Sequence, residues 1–127
     1  MENNFVPYEL VLELKELGFN EYCLTSYLNG ELQTSQSEMF WFQHNYRSHP
    51  AQEFISAPLY QQAFRWFREK YGYYISVFRT HDSNWGTDLW LLGVHKPKAT
   101  VFSETYEEAE LACLEKLIEI VKTNNYE

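Results

Sequence analysis

The segment that most constrains the fold is the C-terminal one. From Thr105 to about Lys122 apolar residues recur at helical spacing: Tyr106, Ala109, Leu111, Cys113, Leu114, Leu117, Ile118, Ile120 and Val121. At about 100° per residue they cover roughly half the circumference or more, wider than the stripe of an ordinary surface helix. A helix apolar over that much of its girth must be enclosed, so it is expected to be a central packing helix. Thr105 with Glu108 three residues on fits a capping box, in which each side chain satisfies a backbone N–H of the other residue.

The rest of the chain has to supply what encloses it. Pro7 near the start and Gly18 just past the end frame a first helix. Its Leu10, Val11, Leu14 and Leu17 share one face, opposite Glu9, Glu13 and Glu16. Asn29-Gly30, between Glu21–Leu28 and Glu31–Thr34, is a strong hairpin signal because both central residues of that turn need positive φ. Ser35 to Ser37 break the pattern. Glu38 to His44 then reads as another strand or as the resumed second arm of the hairpin, and Asn45 to Gln52 as a polar loop. A second helix is expected from about Pro58 to Tyr71, stopping at Gly72. Strands follow at Tyr73–Arg79 and Asp88–His95, joined by the loop Thr80–Thr87. Lys96-Pro97-Lys98 breaks the pattern, and Thr100–Phe102 leads into the last helix.

The fold class is therefore α+β: an antiparallel sheet of about four strands packed with three helices, ordered helix, then hairpin–helix twice. Ser56–Ala63 with Glu69-Lys70 weakly echoes Ser103–Ala109 with Glu115-Lys116. Common helix-start residues are enough to explain that echo.

With 127 residues the chain is expected to form one domain with a real core. Apolar residues at 45% and charged residues at 22% exclude disordered and low-complexity classes. No run approaches the ~18 apolar residues of a membrane span. The opening Met1–Leu10 lacks a basic region followed by an apolar stretch, so the expected compartment is the cytoplasm. Cys23 and Cys113 are far apart without metal-ligand spacing, and buried free thiols are expected. The net charge of −8 is uneven: −6 over residues 1–38, +3 over 39–103 and −5 over 104–127. Acidic ends can pair with a basic middle, while the overall field repels polyanions and disfavours a nucleic-acid partner.

Ser103–Lys122 resembles the C-terminal signature of a family of small uncharacterised proteins found in phages, prophages and mobile elements of gut bacteria. Ala57–Tyr71, and Pro7-Tyr8-Glu9 with Leu14–Phe19, are similar to its other two blocks. The resemblance covers most of the chain in three helical blocks and departs most at Ser35–Gln52 and Thr80–Thr87. It implies a bacterial, phage-derived, cytoplasmic protein and carries over no catalytic residue, because the shared motifs are helix starts, apolar stripes and stops.

No P-loop, dinucleotide fingerprint, nucleophile elbow or HExxH motif is present. His44 and His49 bracket one loop; His81, Asp82 and Asp88 lie in or beside the other. Such residues bind a metal if they converge, but loops collect them in any case. No catalytic, cofactor-binding or metal-ligating residue is assigned. Arg65, Arg68 and Arg79 near Trp66, Tyr73 and Tyr74 suggest a single-strand platform, yet Trp66 falls on the apolar face of its helix. Pairing with the Glu-rich helices is the better account of those arginines.

The strands carry the functional hint. A sheet covered on one face alternates polar and apolar residues. Met39–Phe42 and Leu89–Leu92 do not. With Phe40 and Phe42 inward, Met39 and Trp41 point out; with Leu89 and Leu91 inward, Trp90 and Leu92 point out, or the reverse. Tyr74 and Phe78 likewise oppose Tyr73, Ile75 and Val77. Unless helices cover both faces, an aromatic face needs a partner. The expectation is a non-enzymatic interaction module forming a homodimer, or binding another protein, through Met39, Trp41, Trp90 and Leu92. The alternatives are an acidic decoy of a basic nucleic-acid-binding protein, or a small metal-binding or hydrolytic enzyme using the loop histidines.

Overall fold

The computed structural model describes residues 4–33, 46–49 and 52–125, with backbone alone for 46–49, Gln52 and Asn125. Three helices, α1 (Tyr8–Glu16), α2 (Tyr60–Tyr71) and α3 (Tyr106–Asn125), alternate with two groups of strands. The first group is β1 (Thr25–Leu28), β2 (Glu31–Leu32), β3 (Tyr46–His49) and β4 (Gln52–Ala57). The second is β5 (Tyr73–Arg79), β6 (Trp85–Leu91) and β7 (Ala99–Ser103). The residues fall into two compact units, 1–61 and 62–127. The class is α+β, and all strand pairings are antiparallel.

In the first unit the strand order is β2-β1-β4-β3, and α1 packs on β4. α1 ends in a Schellman motif: Gly18 takes φ 101°, Gly18 N–H donates to the Lys15 carbonyl and Phe19 N–H to the Leu14 carbonyl. Leu14 and Phe19 are both buried there. Asn29 (φ 50°) and Gly30 (φ 91°) make the expected two-residue turn, with Leu28 facing Glu31. Asn29 also ties the turn to β4: Glu53 N–H donates to Asn29 Oδ1 at 3.1 Å, and Asn29 N–H to the Glu53 carbonyl at 3.2 Å. The Tyr27 hydroxyl donates to the Val6 carbonyl at 2.7 Å, and its ring sits 5.2 Å from that of Tyr8.

In the second unit the order is β5-β6-β7, and α3 packs on β6 and β7. Thr105 caps α3 by accepting the Glu108 N–H at 3.1 Å. Ala109, Cys113, Leu114, Leu117, Ile118 and Val121 are all buried, as the wide apolar face requires. α3 is fixed to the sheet at both ends. Tyr106 meets the Trp85 ring edge-on at 5.2 Å, and Asn124 Nδ2 donates to the Tyr73 hydroxyl at 2.9 Å. On α2, Trp66 is buried with Ala63, Phe64 and Phe67 while Arg65 and Arg68 are exposed, which matches the helical count.

Four expectations change. Among the described residues the strands form two sheets rather than one, because Tyr73–Arg79 and its partners pair among themselves. Tyr46–His49, expected as loop, is a strand paired with β4, held by backbone bonds that a polar Tyr-Arg-Ser-His run does not advertise. β6 begins at Trp85 and ends at Leu91, so its register is three to four residues earlier than Asp88–His95. Thr100–Phe102 is not a lead-in but the centre of strand β7. The Glu38–His44 strand lies outside the described residues.

Candidate interaction surface

Register decides which side chains share a face of β5-β6-β7. Tyr73, Ile75 and Val77 align with Leu91, Leu89 and Thr87, and these with Ala99 and Val101. This is the inner face, and it carries the contacts to α3. The opposite parity puts three rows on the outer face. Tyr74 lies beside Trp90, Ser76 beside Asp88 and Thr100, and Phe78 beside Gly86 and Phe102. The face thus reads aromatic, polar, aromatic, with the aromatic rows four residues or ~13 Å apart.

Each row is locally ordered. The Tyr74 and Trp90 rings are near parallel, 13° apart in plane with centroids at 6.3 Å. Thr100 Oγ1 donates to Asp88 Oδ1 at 2.7 Å, so the central carboxylate has a partner. Phe78 and Phe102 meet at right angles at 6.3 Å across Gly86. Glycine permits this ring position, since a Cβ on residue 86 would force the Phe78 ring to move. The glycine allows one aromatic ring to lie across the strand. Even so, Phe78 is 37% exposed and Phe102 63%. Large aromatic side chains left this open on a sheet are what a partner surface needs.

The two ends of the face differ in charge. At the β5–β6 hairpin a cleft of about 630 Å³ is lined by Phe78, Phe102, Arg79, Thr80, His81, Asp82 and Asn84. Thr80 organises this hairpin. Its hydroxyl donates to the Asp82 carboxylate and accepts the Asn84 N–H at 3.0 Å, while Thr80 N–H donates to the Asn84 carbonyl at 2.9 Å. The Thr80 hydroxyl is the main reason that Asp82 titrates below the usual carboxylate range. Arg79 has its guanidinium over the Trp85 ring, 5.0 Å from the centroid. At the opposite end the β6–β7 turn, Leu92–Lys98, is exposed throughout, with Leu92 at 61% and Lys96 and Lys98 as its cations.

Of the residues expected at an interface, Trp90 is on this face and half-buried, and Leu92 continues its parity into the exposed turn. Met39 and Trp41 lie outside the described residues. Phe102, Phe78, Tyr74 and Gly86 complete the face. Tyr74 and Phe78 shared a parity in the sequence, but Phe102 could be placed only once β7 was known to be a strand. His81 is exposed beside Asp82, while Asp88 is on the far side of the Phe78 row. Among the described residues no three His, Cys, Asp or Glu side chains converge as a metal site. Both cysteines are buried thiols outside any disulfide, and burial, aided by Glu110, pushes the Cys113 thiol up to about 12. That suppresses the thiolate a nucleophile would need. Among the described residues no helix is long and apolar enough to cross a membrane.

No family model, curated protein or solved structure matches this chain.

Proposed function

We propose that this chain is a non-enzymatic protein-interaction module that self-associates through the outer face of β5-β6-β7. The observation that carries this reading is the exposed aromatic row, with Phe102 63% and Phe78 37% open on a face that also holds Trp90 and Tyr74. Aromatic residues are the side chains enriched in interface cores. The aromatic–polar–aromatic order is also self-complementary, because turning a second copy end over end sets each aromatic row over the other. A two-fold pair is the commonest way for one patch to serve two subunits. The resemblance of the helical blocks supports reading this as a module of a phage or mobile element that acts in the cytoplasm.

Light scattering across micromolar concentrations tests the reading. The wild type should approach twice the mass of one chain. Trp90→Glu should give the mass of a single chain with an unchanged circular dichroism spectrum. A wild type at single-chain mass throughout would reject self-association.

A further inference from the structure

The charges at the two ends of the outer face point to one orientation of the second copy, an inference that rests on the self-association reading. At the hairpin end the Phe78 and Phe102 rings meet at a right angle and share a cleft with the Asp82 carboxylate. Aromatic faces and a carboxylate together make a site for an ammonium group. Arg79 lines the same cleft, but its guanidinium sits over Trp85. At the other end the exposed cations are Lys96 and Lys98, with exposed His95 beside them. Lys98 immediately precedes β7, two residues before Thr100 and four before Phe102. One end therefore offers a carboxylate beside two aromatic rings, and the opposite end of the same sheet presents exposed cations.

We propose that the second copy lies face to face with its strands reversed, so that Lys98 of each chain rests on the other's exposed Phe102 beside Asp82. The two-fold axis then runs across the strands along the Ser76–Asp88–Thr100 row. Tyr74 of each chain comes over the other's Phe78, and Trp90 over the strip at Gly86. The exposed Leu92 and Lys96 flank the contact. The same Lys98–Asp82 contact forms twice, once at each end. The cost of the arrangement is at its centre, where the two Asp88 carboxylates approach each other, each held by its own Thr100.

A charge swap tests the orientation. Sedimentation velocity is run on Asp82→Lys, on Lys96→Glu/Lys98→Glu, and on their equimolar mixture. Each variant alone sets like charges together at both ends, and its dimer should be about three- to tenfold weaker than wild type. In the mixture both contacts of the heterodimer are attractive again, so dimer should return to near the wild-type level. A variant that had simply misfolded could not be rescued this way. If both variants dimerise like the wild type, or the mixture stays as weak as its components, the reversed orientation is wrong. Should that happen while Trp90→Glu still gives single chains, the face remains the interface and only the orientation falls. A wild type that never exceeds single-chain mass overturns both.

Discussion

The two sheets use their faces differently. In the first, consecutive residues are buried regardless of parity: Thr25, Ser26 and Tyr27 on β1, and Ile55, Ser56 and Ala57 on β4. Polar groups survive there because they are bonded; the Thr25 hydroxyl, for example, donates to the Gln33 carbonyl at 2.6 Å. In the second sheet burial follows parity except at Gly86, which lies beneath the Phe78 ring. The inner face holds the Leu89 and Thr87 core, while the outer face leaves Phe78 and Phe102 open. The composition of the two faces inverts the simple rule: small polar residues are buried in one sheet and large aromatic ones exposed in the other. Burial of Thr25 is explained by its hydrogen bond to the Gln33 carbonyl. Exposure of phenylalanine has no such internal explanation, and that asymmetry is why the interface is assigned to the second sheet.

Core truncations give the largest expected effects. Ile55→Ala in β4 and Leu117→Ala in α3 should each lose about 2–5 kcal/mol in denaturant unfolding, because both side chains are fully buried. Phe102→Ala, though it removes a larger side chain, should lose about 1 kcal/mol or less, the worth of a cross-strand pair. A Phe102→Ala loss comparable to that of Ile55→Ala would show that the outer face is core after all. Thr105→Ala removes the α3 cap and should lower stability by about 1 kcal/mol. An unchanged unfolding midpoint would mean that the Thr105–Glu108 bond contributes nothing.

A smaller effect of opposite sign is expected on the inner face. Thr87 is buried between Val77 and Val101, and its Oγ1 has no hydrogen-bond partner among the described residues. Thr87→Val should leave the melting temperature unchanged or raise it, by up to about 1 kcal/mol in stability, since an unbonded buried hydroxyl carries a desolvation penalty. Clear destabilisation would reveal a bond to that hydroxyl. On the outer face, Asp88→Asn should tighten the dimer by relieving the carboxylate pair at the axis. Equal or weaker association would move Asp88 away from the axis.

Much of the fold was legible because local chemistry agreed with it. Gly18, Asn29-Gly30 and Thr105 mark a helix stop, a turn and a cap that depend only on backbone conformation and one or two hydrogen bonds. The wide apolar face of α3 demanded burial; six of its nine apolar residues are buried and Tyr106, Leu111 and Ile120 are half-buried. Division into two sheets was not legible, since strand pairing is a long-range choice that periodicity does not encode. β3 was hidden by its polar run, and β7 by its brevity and by Lys96-Pro97-Lys98 before it. The candidate surface was half legible for the same reason. Trp90 and Leu92 could be placed by parity within their own strand, whereas Phe102 joined them only through the β6–β7 register. The role of Gly86 depends on a ring from the neighbouring strand, which no reading of its own segment supplies.

The most direct test compares one exposed aromatic residue from each unit. Tyr22 in the first unit and Phe102 in the second are both 63% exposed. Sedimentation equilibrium of the wild type, Tyr22→Glu and Phe102→Glu holds exposure and introduced charge constant while changing the surface. The account predicts that wild type and Tyr22→Glu associate alike to twice the single-chain mass, and that Phe102→Glu remains a single chain with an unchanged circular dichroism spectrum. Equal association of Phe102→Glu and Tyr22→Glu would contradict it.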